Sequence, residues 1–309
     1  MISKLTISFT DVSKLLLICQ IISQVLSGKC PPEEVSDPCV CEQQTIRCEG
    51  NQSIDLKSLF NNISKSLTKD EKNFQFFVLN NNGIKRLENN TFKDITFRFV
   101  TIIDVQSLQT IDPNAFDGTS EMIETFEMSG ENSLKDMSQL FRVLNSFKNV
   151  ISMTLNIYGL ESLPSYAFYG LKRLQDLTLT NTQLSHLSDN CLHFETNSDQ
   201  SLIIDLSDNN LTEFSFERNS LLGVKRPLEL DLRDNKLTFL EKNIFKPFLL
   251  SDINNAINLS ANPLNCSDCR LQWLVEDKHI FESNVLEARC AHFVSVFELD
   301  QNGFQHCPS

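Results

Sequence analysis

Ile204-Asp205-Leu206-Ser207-Asp208-Asn209-Asn210-Leu211 is followed by Leu230-Asp231-Leu232-Arg233-Asp234-Asn235-Lys236-Leu237, and then by Ile257-Asn258-Leu259-Ser260-Ala261-Asn262-Pro263-Leu264. Each stretch reads apolar, any residue, apolar, two residues, Asn, one residue, apolar. A looser copy, Phe77-Val78-Leu79-Asn80-Asn81-Asn82-Gly83-Ile84, stands near the front. Aligned on the second apolar residue, the copies fall at Leu79, Ile102, Met128, Leu155, Leu179, Leu206, Leu232 and Leu259. Subtraction gives spacings of 23, 26, 27, 24, 27, 26 and 27 residues. A phrase repeating at that period defines a solenoid, and a solenoid is usually a binding surface.

Apolar-x-apolar describes a strand with both apolar side chains on one face. One copy cannot bury that face alone, so copies must stack into a shared core. The Asn carries both a carbonyl and an amide, and where the chain turns off the strand it can bond backbone groups that have no ladder partner. Downstream, Leu87 to Phe92, Ile111 to Phe116, Leu163 to Phe168 and Leu240 to Phe245 keep one offset. Over about residues 46–264 the chain resembles the extracellular leucine-rich repeats. The resemblance implies an α/β solenoid: a horseshoe with a parallel concave β-sheet, an Asn ladder beneath it and a spine of Phe on the convex side. With 23 Phe in the chain, aromatic packing must carry much of the core.

The middle copies depart from the phrase. Tyr158 and Thr182 stand at the Asn place, and copies two and three carry one extra residue before Leu108 and Leu134. A hydroxyl satisfies part of what an Asn satisfies, so a less regular ladder is expected between residues 97 and 190. Between Asn51 and Lys72 the apolar places Ile54, Leu56, Leu59, Phe60, Ile63 and Leu67 suggest a helix joining the front of the chain to the first full repeat.

The ten cysteines fall in an orderly way. Cys30, Cys39, Cys41 and Cys48 cluster before the array, and Cys266, Cys269, Cys290 and Cys307 after it. Each group of four permits three pairings from sequence alone. The groups resemble the disulfide caps of secreted leucine-rich repeat proteins, which keep the end repeats from exposing core. The pairing this resemblance implies is first to third and second to fourth: Cys30–Cys41, Cys39–Cys48, Cys266–Cys290 and Cys269–Cys307. Leu271, Trp273 and Leu274 would belong to the closing helix. A zinc site at Cys266 and Cys269, with His279 and His292 nearby, is the rival reading; an oxidising compartment favours disulfides. Cys191 occupies the slot that Ala115 and Ala167 fill elsewhere, which suits a small buried hydrophobe.

Residues 1–28 carry Lys4 and Lys14, an apolar run from Leu15 to Ile22, and small residues that suit cleavage after Ser27 or Gly28. This reads as a secretory signal, not a domain. No later segment offers about 18 uninterrupted apolar residues, and the C-terminus has no hydrophobic tail, so neither a transmembrane helix nor a lipid anchor is expected. The expected organisation is a signal peptide (1–28), an N-terminal cysteine-rich cap (29–50), an array of about eight repeats (51–264) and a C-terminal cysteine-rich cap (265–309). Sequons at Asn51, Asn62, Asn89, Asn210, Asn258 and Asn265 agree with export. Asn62 and Asn89 are expected on loops, and they and Asn210 are the preferred acceptors. Asn51 could instead be spent on the ladder, and Asn258 falls mid-strand.

The formal net charge is −13. That argues against nucleic acid and anionic membrane surfaces, and suits either solubility or a basic partner. In a stacked array the residues between and beside the strand's apolar places face the concave side. One column runs Val78, Thr101, Glu127, Thr154, Thr178, Asp205, Asp231, Asn258. The next runs Phe76, Phe99, Thr125, Ser152, Asp176, Ile203, Glu229, Ala256. Phe76 and Phe99, with Val78, form an apolar corner at the front. Asp176, Asp205, Asp208, Glu229, Asp231 and Asp234 form an acidic patch at the rear, relieved by Arg233. The patch reads as a site for a basic protein or a weakly held cation, or as a solvated face. The corner reads as a contact site, or as packing under the segment that follows the front cap.

Catalytic signals are weak. There is no G-x-S-x-G, H-E-x-x-H, phosphate loop or dinucleotide fingerprint. His186 and His193 read as turn or surface residues without a nucleophilic partner. Paired acids can serve glycoside hydrolysis, but an open solenoid face rarely desolvates a carboxylate enough to tune it. No enzyme activity and no cofactor are expected.

A narrower resemblance covers the mature chain. Cys30-Pro31-Pro32-Glu33-Glu34-Val35, Pro38-Cys39-Val40-Cys41-Glu42-Gln43-Gln44-Thr45-Ile46, Leu67-Thr68-Lys69 and Asn89-Asn90-Thr91-Phe92-Lys93-Asp94-Ile95-Thr96-Phe97 are similar to an arthropod group. That group is named for the non-catalytic leucine-rich subunit of Oplophorus luciferin 2-monooxygenase. The resemblance implies a secreted, non-enzymatic partner of other proteins; light emission does not follow from it, since the catalytic partner is another chain. The expected function is therefore to bind or stabilise a protein partner through the concave face. Recognition of microbial or matrix glycans in innate immunity is the alternative.

Overall fold

The computed structural model describes residues 28–194, 200–290 and 294–300, together with 304 and 307. The expected leader, apart from Gly28, lies outside the described residues, as do Cys19 and His292. Eleven strands form the main sheet: β1 (Val40–Glu42), β2 (Thr45–Gly50), β3 (Asn73–Asn81), β4 (Thr96–Ile103), β5 (Thr125–Gly130), β6 (Ser152–Ile157), β7 (Asp176–Thr178), β8 (Leu202–Asp205), β9 (Leu228–Asp231), β10 (Ala256–Asn258) and β11 (Val285–Leu286). Their order in the sheet is their order in the chain. β1 and β2 are antiparallel and every later pair is parallel. This is the expected solenoid, and the register follows the sequence alignment. Leu79 faces Ile102, Ile102 faces Met128 and Met128 faces Leu155. Further on, Leu177 faces both Met153 and Ile204, Ile204 faces Leu230, and Leu230 faces Ile257.

One core runs from Cys39 to Phe304. Its front half is aromatic. Phe60 and Phe77 each lie 4.9 Å from Phe92, which lies 5.1 Å from Phe116. Such pairs contribute about 0.5–1.5 kcal/mol each beyond their buried area. Phe60 comes from the helix Leu56–Ser66, which begins where Asp55 accepts a hydrogen bond from the Ser58 amide at 3.0 Å. Leu56, Leu59, Phe60 and Ile63 recur at helical spacing and are buried on one face.

In the rear repeats the ladder is regular. The Asn209 amide donates to Leu179 O (2.6 Å) and Leu206 O (3.1 Å), and its carbonyl accepts from Leu184 N (3.0 Å). Asn235 donates to Leu206 O and Leu232 O and accepts from Leu211 N. Asn262 donates to Leu232 O and Leu259 O and accepts from Leu237 N. Every Asn thus bonds its own turn and the repeat before it. Thr182 sits in the same row, buried, with its hydroxyl donating to Asn209 Oδ1 at 2.9 Å.

The front repeats differ from the phrase. The buried Asn is Asn81, not Asn82; it donates to Glu49 O and accepts from Gly83 N. Tyr158 is not a ladder residue at all, being 60% exposed, while Ile157 is fully buried. The cause is strand length. β3 and β6 continue two residues past Leu79 and Leu155, so alternation turns Asn81 and Ile157 inward. In the rear, β8 and β9 stop before Leu206 and Leu232, and the turn brings the third residue beyond inward instead.

Disulfides join Cys30 to Cys41 and Cys39 to Cys48 at the front, and Cys266 to Cys290 and Cys269 to Cys307 at the rear. A one-turn 3-10 helix, Cys269–Leu271, leads into the helix Gln272–Glu276. There Leu271, Trp273 and Leu274 are buried, and Trp273 Nε1 donates to Leu240 O at 3.2 Å. Cys191 shares a fully buried slot with Ala115 and Ala167, and burial pushes its thiol up to about 12. It is packed as a small hydrophobe with an inert thiol.

Replacing Asn209 by Ala should remove a partner from the Thr182 and Leu184 amides and from the Leu179, Leu206 and Ser207 carbonyls, of which Leu206 O keeps Asn235 and Leu184 N keeps Thr182 Oγ1. The expected loss is about 2–5 kcal/mol, read as a lower urea midpoint. Asn210→Ala next door, where the side chain meets the Lys236 ammonium at the exposed surface, should change the midpoint by less than about 0.5 kcal/mol. Equal losses from both would contradict the ladder's role.

Candidate functional site

The strand register brings both expected columns onto one open sheet face. At its front Phe76 and Phe99 are directly opposed, with ring centroids 4.8 Å apart and planes inclined by 19°. Phe76 is 36% exposed. The pair is not covered by the segment after the front cap, because the Leu56–Ser66 helix of that segment packs its Phe60 against Phe77, an inward residue of β3. The Arg98 guanidinium lies 5.7 Å from the Phe99 ring and is itself paired with Glu124 at 2.5 Å.

The rear acidic residues divide into three kinds. Asp176 and Glu229 are exposed and stand on either side of Ile203 in direct register. Neither carboxylate makes a side-chain hydrogen bond or ion pair with any described residue. Ile203, which the sequence column contained but did not single out, is 44% exposed. Its signal was an apolar residue at an outward strand position.

Asp205 and Asp231 face each other in the adjoining column, and each also closes the turn after its strand. Asp205 Oδ1 accepts from Ser207 N at 2.9 Å and Asp231 Oδ1 from Arg233 N at 3.0 Å. Asn258 does the same for Ser260 N at 3.1 Å. Arg233 Nε reaches both Asp231 oxygens, at 2.7 and 3.0 Å. Burial raises the pKa of Asp231 above its ordinary value and the Asp205 charge adds to the rise, while the bonds and charge from Arg233 oppose it.

Asp208 and Asp234 lie on the turns that leave the sheet rather than on its face. Their φ angles are +56° and +52°, matching +55° at Asn181 and +57° at Ala261 in the same place of other repeats. Asp and Asn tolerate this left-handed conformation better than most residues. These two aspartates therefore stand at the rim of the sheet, exposed, and not in its outward columns.

The sequons are spread over the surface. Asn62 is exposed but on the Leu56–Ser66 helix, not on a loop. Asn89 is exposed in a turn, and Asn210 is half-buried. Asn51 is exposed and takes no ladder place. Asn258 points from β10 onto the concave face. His186 Nε2 lies 3.0 Å from Glu217 Oε1, and His193 stacks on Tyr169 with centroids 5.6 Å apart. Among the described residues no group of three or more His, Cys, Asp or Glu is placed to hold a metal, and no helix is long and apolar enough to cross a membrane.

No family model matches the chain. Over 133 residues it is 27% identical to Tsukushi of Gallus gallus, a match that covers 43% of this chain and 34% of that protein. The chain therefore spans about a third of the length of the curated relative it matches. The crystal structure of human 5T4 (Wnt-activated inhibitory factor 1, trophoblast glycoprotein) superposes with a TM-score of 0.54 at 17% identity, covering 89% of this chain and 98% of that one. Repeat period, register, ladder and this shared fold make the chain a leucine-rich repeat solenoid with disulfide caps.

Asp231→Asn keeps the turn bond, as Asn258 does, and removes a charge from beside Asp205. A carboxyl whose folded pKa is raised favours the fold when protonated. That contribution is complete below the unfolded pKa of about 3.9 and is lost as pH rises through the folded value. The variant should therefore match or exceed the parent in urea stability at pH 7 and show a flatter pH dependence above pH 4. A variant less stable at pH 7 than at pH 4, relative to the parent, would refute the raised pKa.

Proposed function

We propose that this is a secreted, non-enzymatic leucine-rich repeat protein that holds or stabilises a protein partner on its concave face. The observation that carries the reading is the state of that face. It keeps an exposed aromatic stack at the front and an exposed Ile203 between two unpaired carboxylates at the rear. Large outward apolar groups on a sheet face suit burial by a partner, and free carboxylates choose its charge. A partner with basic groups flanking an apolar one complements Asp176, Ile203 and Glu229. Four disulfides favour an oxidising compartment and hence export, with Asn62, Asn89 and Asn210 as glycan acceptors. The resemblance to the arthropod group supports the narrower role of a non-catalytic subunit.

Glycan recognition is the weaker reading. Sugar binding beside the acids would use aromatic platforms there, whereas the Phe76–Phe99 stack stands three strands before Asp176.

The test is co-purification of the secreted chain from the extracellular fluid of its source, with quantitative identification of retained proteins. Asp176→Lys/Glu229→Lys and Phe76→Ala/Phe99→Ala should each reduce the specific partner by about tenfold or more, given a few kcal/mol at a buried contact. The Asp176 and Glu229 side chains make no bonds to described residues, so that variant's urea midpoint should hold; loss of the stacked rings lowers the other's by about 1–3 kcal/mol, and retention is compared under conditions where both are folded. Undiminished retention by both variants would defeat the concave-face reading.

A further inference from the structure

An open cleft of about 640 Å³ lies where the front cap meets the helix Leu56–Ser66, within the roughly 300–1,000 Å³ range of clefts that hold small ligands. Leu59, Asn62 and Ser66, spaced i, i+3 and i+7, line it from one face of that helix. Glu34, Val35 and Pro38 line it from the cap segment that carries the short helix Glu33–Ser36. Asn62 therefore stands in the middle of a wall, and its sequon continues with Ile63 and Ser64. Its side chain is exposed and makes no hydrogen bond with any described residue, so Nδ2 is free to carry a sugar. A helical sequon is no bar, since the sugar is attached before the chain folds and the folded chain need only keep it at the surface.

The chemistry of the cleft narrows the occupant. Three carboxylates, Glu34, Asp37 and Asp55, and one ammonium, Lys65, border it. That mixture disfavours a polyanion, and covering the charges with an apolar ligand would cost their hydration. A neutral sugar suits it. Its hydroxyls donate to the carboxylates, its oxygens accept from the ammonium, and the C–H face of a pyranose can lie on the half-buried Val35 and Pro38. Glu34, Asp37 and Lys65 make no side-chain hydrogen bond or ion pair with any described residue, so all three can turn toward it. A sugar on Nδ2 is moreover tethered in the wall, at roughly millimolar effective concentration or above, which any free ligand, a cation included, would have to match.

We infer that the N-glycan of Asn62 is seated in this cleft through its first sugar and clamps the front cap to the helix Leu56–Ser66. The seat presupposes that Asn62 is an acceptor, as proposed above, and adds what the glycan does there. It leaves the concave face open. The same helix packs Phe60 against Phe77, an inward residue of β3, so the helix and its cleft lie across the core from the outward columns. Bridging these two elements adds to the hold of the cap disulfides Cys30–Cys41 and Cys39–Cys48, neither of which reaches the helix.

The experiment begins with glycopeptide mass spectrometry of the chain secreted from cultured animal cells, which reads occupancy at Asn62. The same chain, bearing an isotope-labelled glycan, should then show nuclear Overhauser contacts from the first N-acetylglucosamine to the Val35 and Leu59 methyls. Asn62→Gln should lower the thermal midpoint by about 2 °C or more, while Asn89→Gln, which removes an exposed acceptor in a turn, should shift it by less than about 1 °C. The Asn62 side chain bonds no described residue, so the larger shift reads the glycan and not the amide. Asn62 found unmodified would remove the acceptor and its seat together. Asn62 modified but lacking those contacts would leave the acceptor standing and overturn the seat. Contacts without a larger shift than that of Asn89→Gln would overturn the clamp.

Discussion

A parallel strand that ends after three or four residues leaves amides and carbonyls pointing into a dry interior, and everything in the rear half of this solenoid follows from how they are satisfied. The turn after each strand keeps some bonds to the next repeat, such as Leu206 N to Asp231 O and Asp208 N to Arg233 O, but the Leu179, Leu206 and Ser207 carbonyls are left to side-chain donors. One Asn side chain supplies two donors and an acceptor at that point, and it reaches the repeat before it as well as its own turn. Because Asn209, Asn235 and Asn262 all do this, adjacent repeats cannot slip against one another without leaving several buried groups unpaired at once. That locks the strand register, and the register is what turns scattered outward residues into continuous columns.

The front half meets the same requirement by another route. Its strands are longer, so more backbone groups find ladder partners directly, and the burden shifts to apolar packing. Phe60, Phe77, Phe92 and Phe97 interleave mostly edge to face, and the Leu56–Ser66 helix closes over them. A polar ladder residue is still present in Asn81, but it sits one position earlier and binds the front cap through Glu49 O. The caps finish the stack. Cys48 fills an apolar strand slot opposite Leu79, so its disulfide is continuous with the core rather than appended to it.

Much of this was legible because period-two alternation and a two-dozen-residue repeat are both strong signals. The eight aligned apolar residues from Leu79 to Leu259 identified the strands, and the outward columns followed by simple alternation. The helix over 56–66 was visible as an apolar stripe. What escaped was decided by strand length, which the repeat phrase does not encode. Tyr158 occupies the Asn place by count, yet β6 runs past that turn and Ile157 takes the buried position. Asp208 and Asp234 drew notice by their charge, but the repeat phrase does not show that they fall on turns with φ above +50°, a conformation Asp tolerates and Ala261 also adopts, rather than in the strand columns. Asn62 looked like a loop residue because sequons favour loops, but it occupies the exposed face of a helix.

On the concave face the acidic groups differ in how firmly the fold holds them rather than in their charge. Asp205 and Asp231 each accept a turn amide, Ser207 N at 2.9 Å and Arg233 N at 3.0 Å, and a bond from a neutral amide fixes the carboxylate without cancelling it. The Arg233 guanidinium, a cation 2.7 Å from Asp231, does offset that charge. Asp176 and Glu229 have no such bond from a described residue and stand exposed beside Ile203, so their side chains can reorient toward an incoming group at no cost to a turn. A net charge of −13 says nothing of this difference, which is set by the strand register and by the turns that follow it.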